Sequence, residues 1–392
     1  MRRKSILILT NTYPDFDSST RGIFIKGMAL LLQKEGYDVS VVTPKIFKNS
    51  RYFEKQDGIK VYRFPFFARD KLLIEYKKIP YLKMILYYLS GFLLTVYVLQ
   101  KNRCSLVHTH WAIPTGLIGI WASALLRIPH IVTIHGSDFR LAMESASLLK
   151  KIFYHVCKRA NYIHCVSEVM RRGIEALGIE GAKISTFPMG VDESFLETGR
   201  ERKRIVRNHP FTIISNRNLL PIYNVSLLIR SIPRVLEEEP VTRFLIVGDG
   251  TEKDDLERNV KDLNVERSVQ FLGRAPHEAM PNLLAQADIY VSTSLSDGTS
   301  VSLLEAMATG AFPIVTDIPS NLEWIVDGRN GFLVQIDEEG LLAKRIIDTI
   351  RSAELLEKSR YENLSIIKEK ATWPATIERV KEIYGRFLRF EN

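Results

Sequence analysis

The sequence predicts an α/β protein of two Rossmann-like, doubly wound domains facing a cleft. Three observations lead there. The 392 residues suit two domains of ordinary size. Along residues 1–185 short apolar runs alternate with helical stretches, which implies a mostly parallel sheet covered on both faces. The same pattern restarts at residue 211, after a charged stretch without an apolar period.

In chain order, Ile6–Leu9, Val39–Val42, Val61–Phe64, Leu106–His108, His130–Ile134 and Tyr162–Val166 read as strands, with helices such as Lys26–Glu35 between them. The opening MRRKSILILT is basic then apolar like a signal peptide. Its apolar run spans only Ile6–Leu9 and breaks at Asn11 and Pro14, so a first buried strand is expected. Met84–Gln100 carries no charge for 17 residues between Lys83 and Lys101, the lower limit for a membrane span. Ser90-Gly91 and the aromatics Tyr87, Tyr88, Phe92 and Tyr97 fit a packed or interfacial helix better, and the preceding RDKLLIEYKKIPYLK is basic and aromatic, as suits anionic lipid. Thr198–Pro210 (TGRERKRIVRNHP) reads as a linker. The second series of strands is Phe211–Ser215, Arg243–Val247, Val269–Phe271, Ile289–Ser292, Pro313–Thr316 and Gly331–Val334. The expected domains are residues 1–197 and 211–371, joined by the linker 198–210 and followed by a C-terminal helical segment, 372–392; no internal repeat is visible.

Composition narrows the partners. An apolar content of 46% with 25% charged residues marks a well-cored globular chain. Cys104, Cys157 and Cys165 are scattered, with no CxxC and no His cluster, which suits a reducing compartment and argues against zinc. Residues 1–200 hold 29 Lys and Arg against 16 Asp and Glu, a net +13, while the remainder hold 25 against 29, a net −4. Only the first half should meet something anionic: a membrane surface, a lipid phosphate or an acidic glycan. Dispersed charge without a nucleic-acid motif argues against nucleic acid.

Several strand ends carry chemistry. Ser294–Gly310 (SLSDGTSVSLLEAMATG) follows a buried strand, ADIYVS, and opens a helix over Val301–Thr309, placing Asp297 and Glu305 eight positions apart across the junction. Gly298 and Ser300 lie in the turn, and the free amides at such a helix start can receive a diphosphate. Glu305, one turn in, can accept hydrogen bonds from a sugar diol. The bland alternative is a capped surface turn. LIVGDG ends a strand in Gly248-Asp249-Gly250, where backbone can approach a ligand, and VQFLGR with the following PHEAM places Arg274 after another strand. In the first half YPDFDSSTRGIF is a polar loop, in which the amides around Gly22 and the Arg21 side chain are placed to face phosphate. Asp15-Phe16-Asp17 formally matches a metal-binding Asp-x-Asp triplet, but its place in an N-terminal loop argues against a metal. His110-Trp111 and His135-Gly136-Ser137-Asp138 each follow a strand, where functional loops gather, and are acceptor-site candidates, although a lone His there is usually structural.

Together LIVGDG, the run from VQFLGRAPHEAM to NGFLV, and TIHGSDFR resemble the retaining glycosyltransferases of family 4. YPDFDSSTRGIF and HTHWAIPTG resemble those members that build cell-surface polysaccharides, and the resemblance covers nearly the full chain. It implies the GT-B fold, with the donor held mainly by the second domain and a C-terminal helix, around Ile377–Phe390, crossing back to the first. It also implies transfer from a nucleotide sugar with retention at the anomeric carbon, without a metal or other cofactor. In the family pattern Glu305 holds the ribose, and Asp297 takes the place of the glutamate near the donor sugar, one methylene shorter. Gly298 keeps its place, and the amides of Val301 and Ser302 hold the diphosphate. His135 lies against the donor sugar and Asp138 orients its loop; the two are grouped with Asp297 as catalytic.

The first donor-domain loop, SNRNLLPIYNVSLL, departs from the family's Arg and Lys. Counting back from Pro221 puts Asn218 in the Arg position and Tyr223 in the Lys position. Arg217, shifted by one residue, and Arg274 are then the candidates to balance the diphosphate. The expected protein is a cytoplasmic hexosyltransferase, peripheral at the inner face of the cell membrane. It would use UDP- or GDP-hexose and a polyprenyl-linked or other surface glycan acceptor. The rivals are a nucleotide-sugar epimerase, revealed by an acceptor-independent product, and a non-catalytic GT-B scaffold, revealed by failure to bind any nucleoside diphosphate.

Overall fold

The computed structural model describes residues 4–16, 21–66, 80–144, 147–202 and 210–388. The Asp17 carboxylate, the basic stretch 69–79 and residues 203–209 of the charged segment lie outside the described residues. The chain divides into two compact units, Met1–Pro188 with Thr376–Asn392, and Met189–Ala375.

In the first unit the strands are β1 (Ser5–Leu9), β2 (Asp38–Lys45), β3 (Phe53–Gln56), β4 (Ile59–Pro65), β5 (Leu106–His110), β6 (His130–Ile134), β7 (Tyr162–Cys165) and β8 (Ile184–Thr186). They form one sheet in the order β3-β4-β2-β1-β5-β6-β7-β8. Pairing is parallel, with Ile6 opposite Val39 and Leu106, except that β3 returns antiparallel on β4. Its helices are α1 (Ile23–Lys34), α2 (Tyr81–Lys101), α3 (Leu117–Leu126), α4 (Ser137–Glu144), α5 (Ser147–Arg159) and α6 (Glu168–Glu175). Every residue of β1, β5 and β6 is buried, as a sheet covered on both faces requires. The order reverses between β1 and β5. Loops following those two strands therefore flank the crevice where doubly wound sheets bind ligands.

The second unit begins with helix α7 (Glu193–Glu201) and continues with β9 (Thr212–Ser215), α8 (Val225–Glu238), β10 (Arg243–Val247), α9 (Lys253–Asp262) and β11 (Val269–Gly273). Helix α10 (Met280–Ala285), β12 (Ile289–Ser292), α11 (Val301–Ala308), β13 (Phe312–Thr316), β14 (Phe332–Val334), α12 (Glu339–Arg351) and α13 (Ala353–Lys370) follow. Its sheet, β11-β10-β9-β12-β13-β14, is wholly parallel and reverses between β9 and β12. The expected linker differs from this arrangement: residues 198–201 are helical, because Phe195 and Leu196 drive α7 into the core beside Leu304 and Ile367. The first unit also ends earlier than expected, at Pro188 rather than residue 197.

The last helix, α14 (Trp373–Gly385), carries the chain back into the first unit's residues. Tyr384 ends there in a buried chain of hydrogen bonds whose direction follows from its far end. His164 Nε2 lies 2.7 Å from the Phe187 carbonyl and must donate to it, so Nδ1 accepts from Thr133 Oγ1 at 3.1 Å. Thr133 Oγ1 then accepts from His108 Nε2 at 2.7 Å, and His108 Nδ1 accepts from Tyr384 Oη at 2.7 Å. Both imidazoles are neutral, and burial holds the His164 pKa down at about 4.

Candidate functional site

In the second unit the loops after β9 and β12 bring Arg217 to Asp297. Arg217 Nη2 donates to Asp297 Oδ2 at 2.5 Å, and Nη1 donates to Ser300 Oγ at 2.7 Å and Ser302 Oγ at 3.0 Å. The guanidinium lies 4.3 Å from the Tyr223 ring centroid. Tyr223 thus stacks on the buried arginine. Although burial opposes a cation here, the Asp297 carboxylate more than compensates and holds the Arg217 pKa up. Asn218 is exposed and makes no side-chain bond to this cluster among the described residues.

Helix α11 starts at this cluster. Ser300 caps it by accepting from Leu303 N at 3.3 Å, and Gly298 N donates to Asp297 Oδ1 at 2.8 Å. The amides of Val301 and Ser302 fall before the helix's own ladder begins, so they are available to an anion. One turn on, Glu305 is buried on the same helix, and removal from water raises its pKa to about 7, against the opposing pull of His277. His277 Nδ1 lies 4.0 Å from Glu305 Oε1, and Nε2 lies 2.7 Å from Asp192 Oδ2. The bond to Asp192 raises the His277 pKa despite its burial, with Glu305 adding to the rise. Neither His277 nor Asp192 was a sequence candidate; the available signal was a histidine opening the PHEAM helix turn just after a strand.

The Gly-Asp-Gly turn packs against the Arg217 loop. A Cβ on Gly248 would meet Arg217 O at 2.2 Å, and one on Gly250 would meet Leu219 O at 2.2 Å. These glycines let the β10 loop press backbone-on-backbone against the Arg217 loop, with Leu219 N bonded to Asp249 O at 3.1 Å. Arg274 Nε lies 3.4 Å from Asp249 Oδ2 with both side chains well exposed, an ion pair of little energetic weight.

In the first unit the loops after β5 and β6 gather aromatic rings. His110 Nδ1 and His135 Nε2 are 2.8 Å apart, and the Trp111 ring centroid is 4.4 Å from that of His135. Phe24, on α1 just beyond the loop after β1, packs against both Trp111 and His135. Trp111 has φ 69° and ψ 127°, a positive-φ backbone rare for an aromatic residue and found mostly at functional loops. Its indole donates to Ser137 Oγ at 3.1 Å. Burial lowers the His135 pKa to about 3, so the ring is neutral. Asp138 is buried and accepts from Ala112 N at 2.7 Å and from His135 N and Gly136 N at 3.2 Å, tying both loops together. Burial raises its pKa to about 6 against those amide bonds.

Gly22 caps α1 with φ 63°, and a Cβ there would meet Thr12 O at 2.6 Å. Arg21 and Asp15 form an ion pair at 2.5 Å, and Asp15 also faces the buried Arg63 at 3.7 Å. Among the described residues no group of three or more His, Cys, Asp and Glu side chains gathers as a metal-ligand set.

Two α/β units in one chain, each built on a mainly parallel sheet, give the GT-B fold. Solved structures share the fold. Sucrose-phosphate synthase from Thermosynechococcus elongatus matches with TM-score 0.80 at 15% identity, covering 98% of this chain and 99% of that one. The Anabaena HepE structure in complex with UDP-glucose matches with TM-score 0.75 at 17% identity, covering 97% and 99%. The family profile described as Glycosyltransferase Family 4 matches residues 22–195, and that described as Glycosyl transferases group 1 matches residues 198–364. The chain belongs to the family 4 glycosyltransferases. The UDP-Gal:alpha-D-GlcNAc-diphosphoundecaprenol alpha-1,3-galactosyltransferase of Escherichia coli is 27% identical over 322 residues, 79% of each chain.

Proposed function

We propose that this glycosyltransferase moves a hexosyl group, with retention, from a nucleotide sugar to a lipid-linked saccharide or related surface glycan at the inner face of the cell membrane. The observation that carries it is the Arg217–Asp297–Ser300–Ser302 cluster at the start of α11, with Glu305 one turn behind. The Val301 and Ser302 amides, the helix dipole and Arg217 stabilise the leaving diphosphate. Glu305 accepts from the ribose hydroxyls, and Asp297, released from Arg217 as the diphosphate takes its place, faces the donor sugar. The anomeric C–O bond to phosphate breaks, and the acceptor oxygen bonds to the same face. The leaving phosphate oxygen takes the acceptor proton, and Arg217 and the helix start balance the diphosphate charge in place of a metal. Trp111, His110 and His135 receive the acceptor.

A UDP-hexose donor and a polyprenyl diphosphate-linked acceptor are supported by the relative whose name carries both, and the donor also by the HepE complex with UDP-glucose. GDP-hexose is the second donor to try. The net +13 of residues 1–200 supports a peripheral position on anionic lipid. Turnover of UDP- and GDP-sugars with Asp297→Ala and Glu305→Ala tests the assignment. Unchanged activity in both variants would sink it, and failure to bind UDP, GDP or ADP in calorimetry would favour a non-catalytic scaffold.

A further inference from the structure

Helix α2 is the one described helix long and apolar enough to cross a membrane, and one side of it is packed on the first unit. One side carries Tyr87, Gly91, Thr95 and Val98, all buried on the first unit's sheet. A Cβ on Gly91 would meet Ile118 Cδ1 at 2.7 Å, and Tyr87 Oη donates to Asn11 Oδ1 at 2.6 Å. These contacts hold the helix to the domain. Of the two alternatives to a packed helix, a span would break them and interfacial contact would not.

The opposite side is apolar and uncovered. Leu82, Ile85, Leu89, Leu93 and Tyr97 are exposed, from 50% for Tyr97 to 84% for Leu82. At helical spacing they fall within a sector of about 120°. The patch continues onto α3, where Trp121 and Leu125 are exposed and Trp121 packs against Tyr88 and Phe92 of α2. Lys83 and Lys101 stand together on one flank of the stripe by the same spacing, and Lys101 covers the Tyr97 ring at 5.1 Å. Residues 76–137 contain no Asp or Glu, while Arg103 and Arg127 add exposed cations near the ends of α2 and α3.

We propose that the α2–α3 face is the surface by which this protein lies on an anionic bilayer, with the leucine stripe and Trp121 entering the acyl boundary. A protein partner would not need an acid-free stretch of this length. Anionic lipid is matched by cations flanking an apolar stripe and by an aromatic at the rim. The assignment rests on the membrane reading above and adds the face and the mode: shallow insertion, with charge as the auxiliary attraction.

The test is co-sedimentation of the full-length protein with phosphatidylglycerol–phosphatidylcholine vesicles. Leu89→Glu with Leu93→Glu replaces exposed side chains, so the melting temperature should hold while vesicle binding falls at least tenfold. Lys83→Ala with Lys101→Ala should weaken binding less. High salt should leave part of the wild-type binding, and Trp121 emission, isolated by difference from Trp121→Phe, should shift to shorter wavelength on vesicles. If the double glutamate variant binds vesicles like wild type, the face is wrong although membrane attachment stands. If wild type binds no vesicles of any composition, both fall. A lipid-free dimer that the glutamates dissociate would make a second copy the occupant and overturn the proposal.

Discussion

The two units reverse strand order at the same topological point, β1/β5 in one and β9/β12 in the other, yet the flanking loops hold opposite chemistry. At β9/β12 a buried guanidinium, two hydroxyls and a carboxylate meet a helix start. Beside β1/β5 a ring cluster of Phe24, Trp111 and His110, with His135 from the loop after β6, is neutral, burial pushing both imidazoles' pKa values down. The two sheets thus share a topology while their loop residues set different chemistry at the same place. A charged diphosphate suits the second point, and the polar and apolar faces of a sugar suit the first.

The sharpest way to break the contrast is to remove its cation. Arg217→Ala should lower kcat/KM for the donor by about 10²–10³, the range for losing one preorganised stabiliser of a leaving anion. Arg217→Lys, which keeps charge but loses the fork to Ser300, Ser302 and Asp297, should fall between. Steady-state kinetics with equal activity in all three proteins would refute the charged reading.

On the neutral side Asp138→Asn should cost about 1–3 kcal/mol in urea unfolding, since an amide nitrogen cannot accept from the buried Ala112 N–H. It should also change the pH dependence. With its pKa raised from 3.8 to about 6, the Asp138 contribution to stability is present below pH 4 and lost as pH rises through 6. The variant should lack that decline.

A smaller effect tests Glu305. Its carboxylate forms as pH rises through about 7, so the donor KM should rise as pH drops below that value. Glu305→Gln should raise KM about tenfold at pH 8, an amount worth about 1.4 kcal/mol, and flatten the profile. A wild-type KM unchanged between pH 6 and 8 would remove Glu305 from donor binding. The smallest effect expected is that of Tyr384→Phe, about 1 kcal/mol in unfolding, because His108 Nδ1 loses its donor inside an apolar surround.

The strands whose alternation with helices announced the fold were legible because each is an apolar run bounded by breakers. β10 and β12 lie at the expected residues. β3 was missed because FEKQ is a polar edge strand; its signal was the Asp57-Gly58 turn that follows. Asp297 and Glu305 could be read as a pair because they sit on one strand–turn–helix segment. Which loop arginine reaches them could not, since a one-residue register choice between Arg217 and Asn218 is settled by tertiary packing. That packing includes Gly248 and Gly250, whose missing side chains let the neighbouring loop close on it. His277 and Asp192 lie 85 positions apart, and no local pattern links them.

The hydrogen-bond chain ending at Tyr384 bears on the order in which the protein is made. The second unit is one continuous stretch, so a ribosome releases all of it before residues 376–388 emerge. The first unit needs those residues: Tyr384 completes the histidine chain, Lys381 meets Glu35 at 2.5 Å, and Leu388 O accepts from Lys4 at 3.4 Å. The half synthesised first must therefore wait, incompletely satisfied, while the half synthesised second can already be finished.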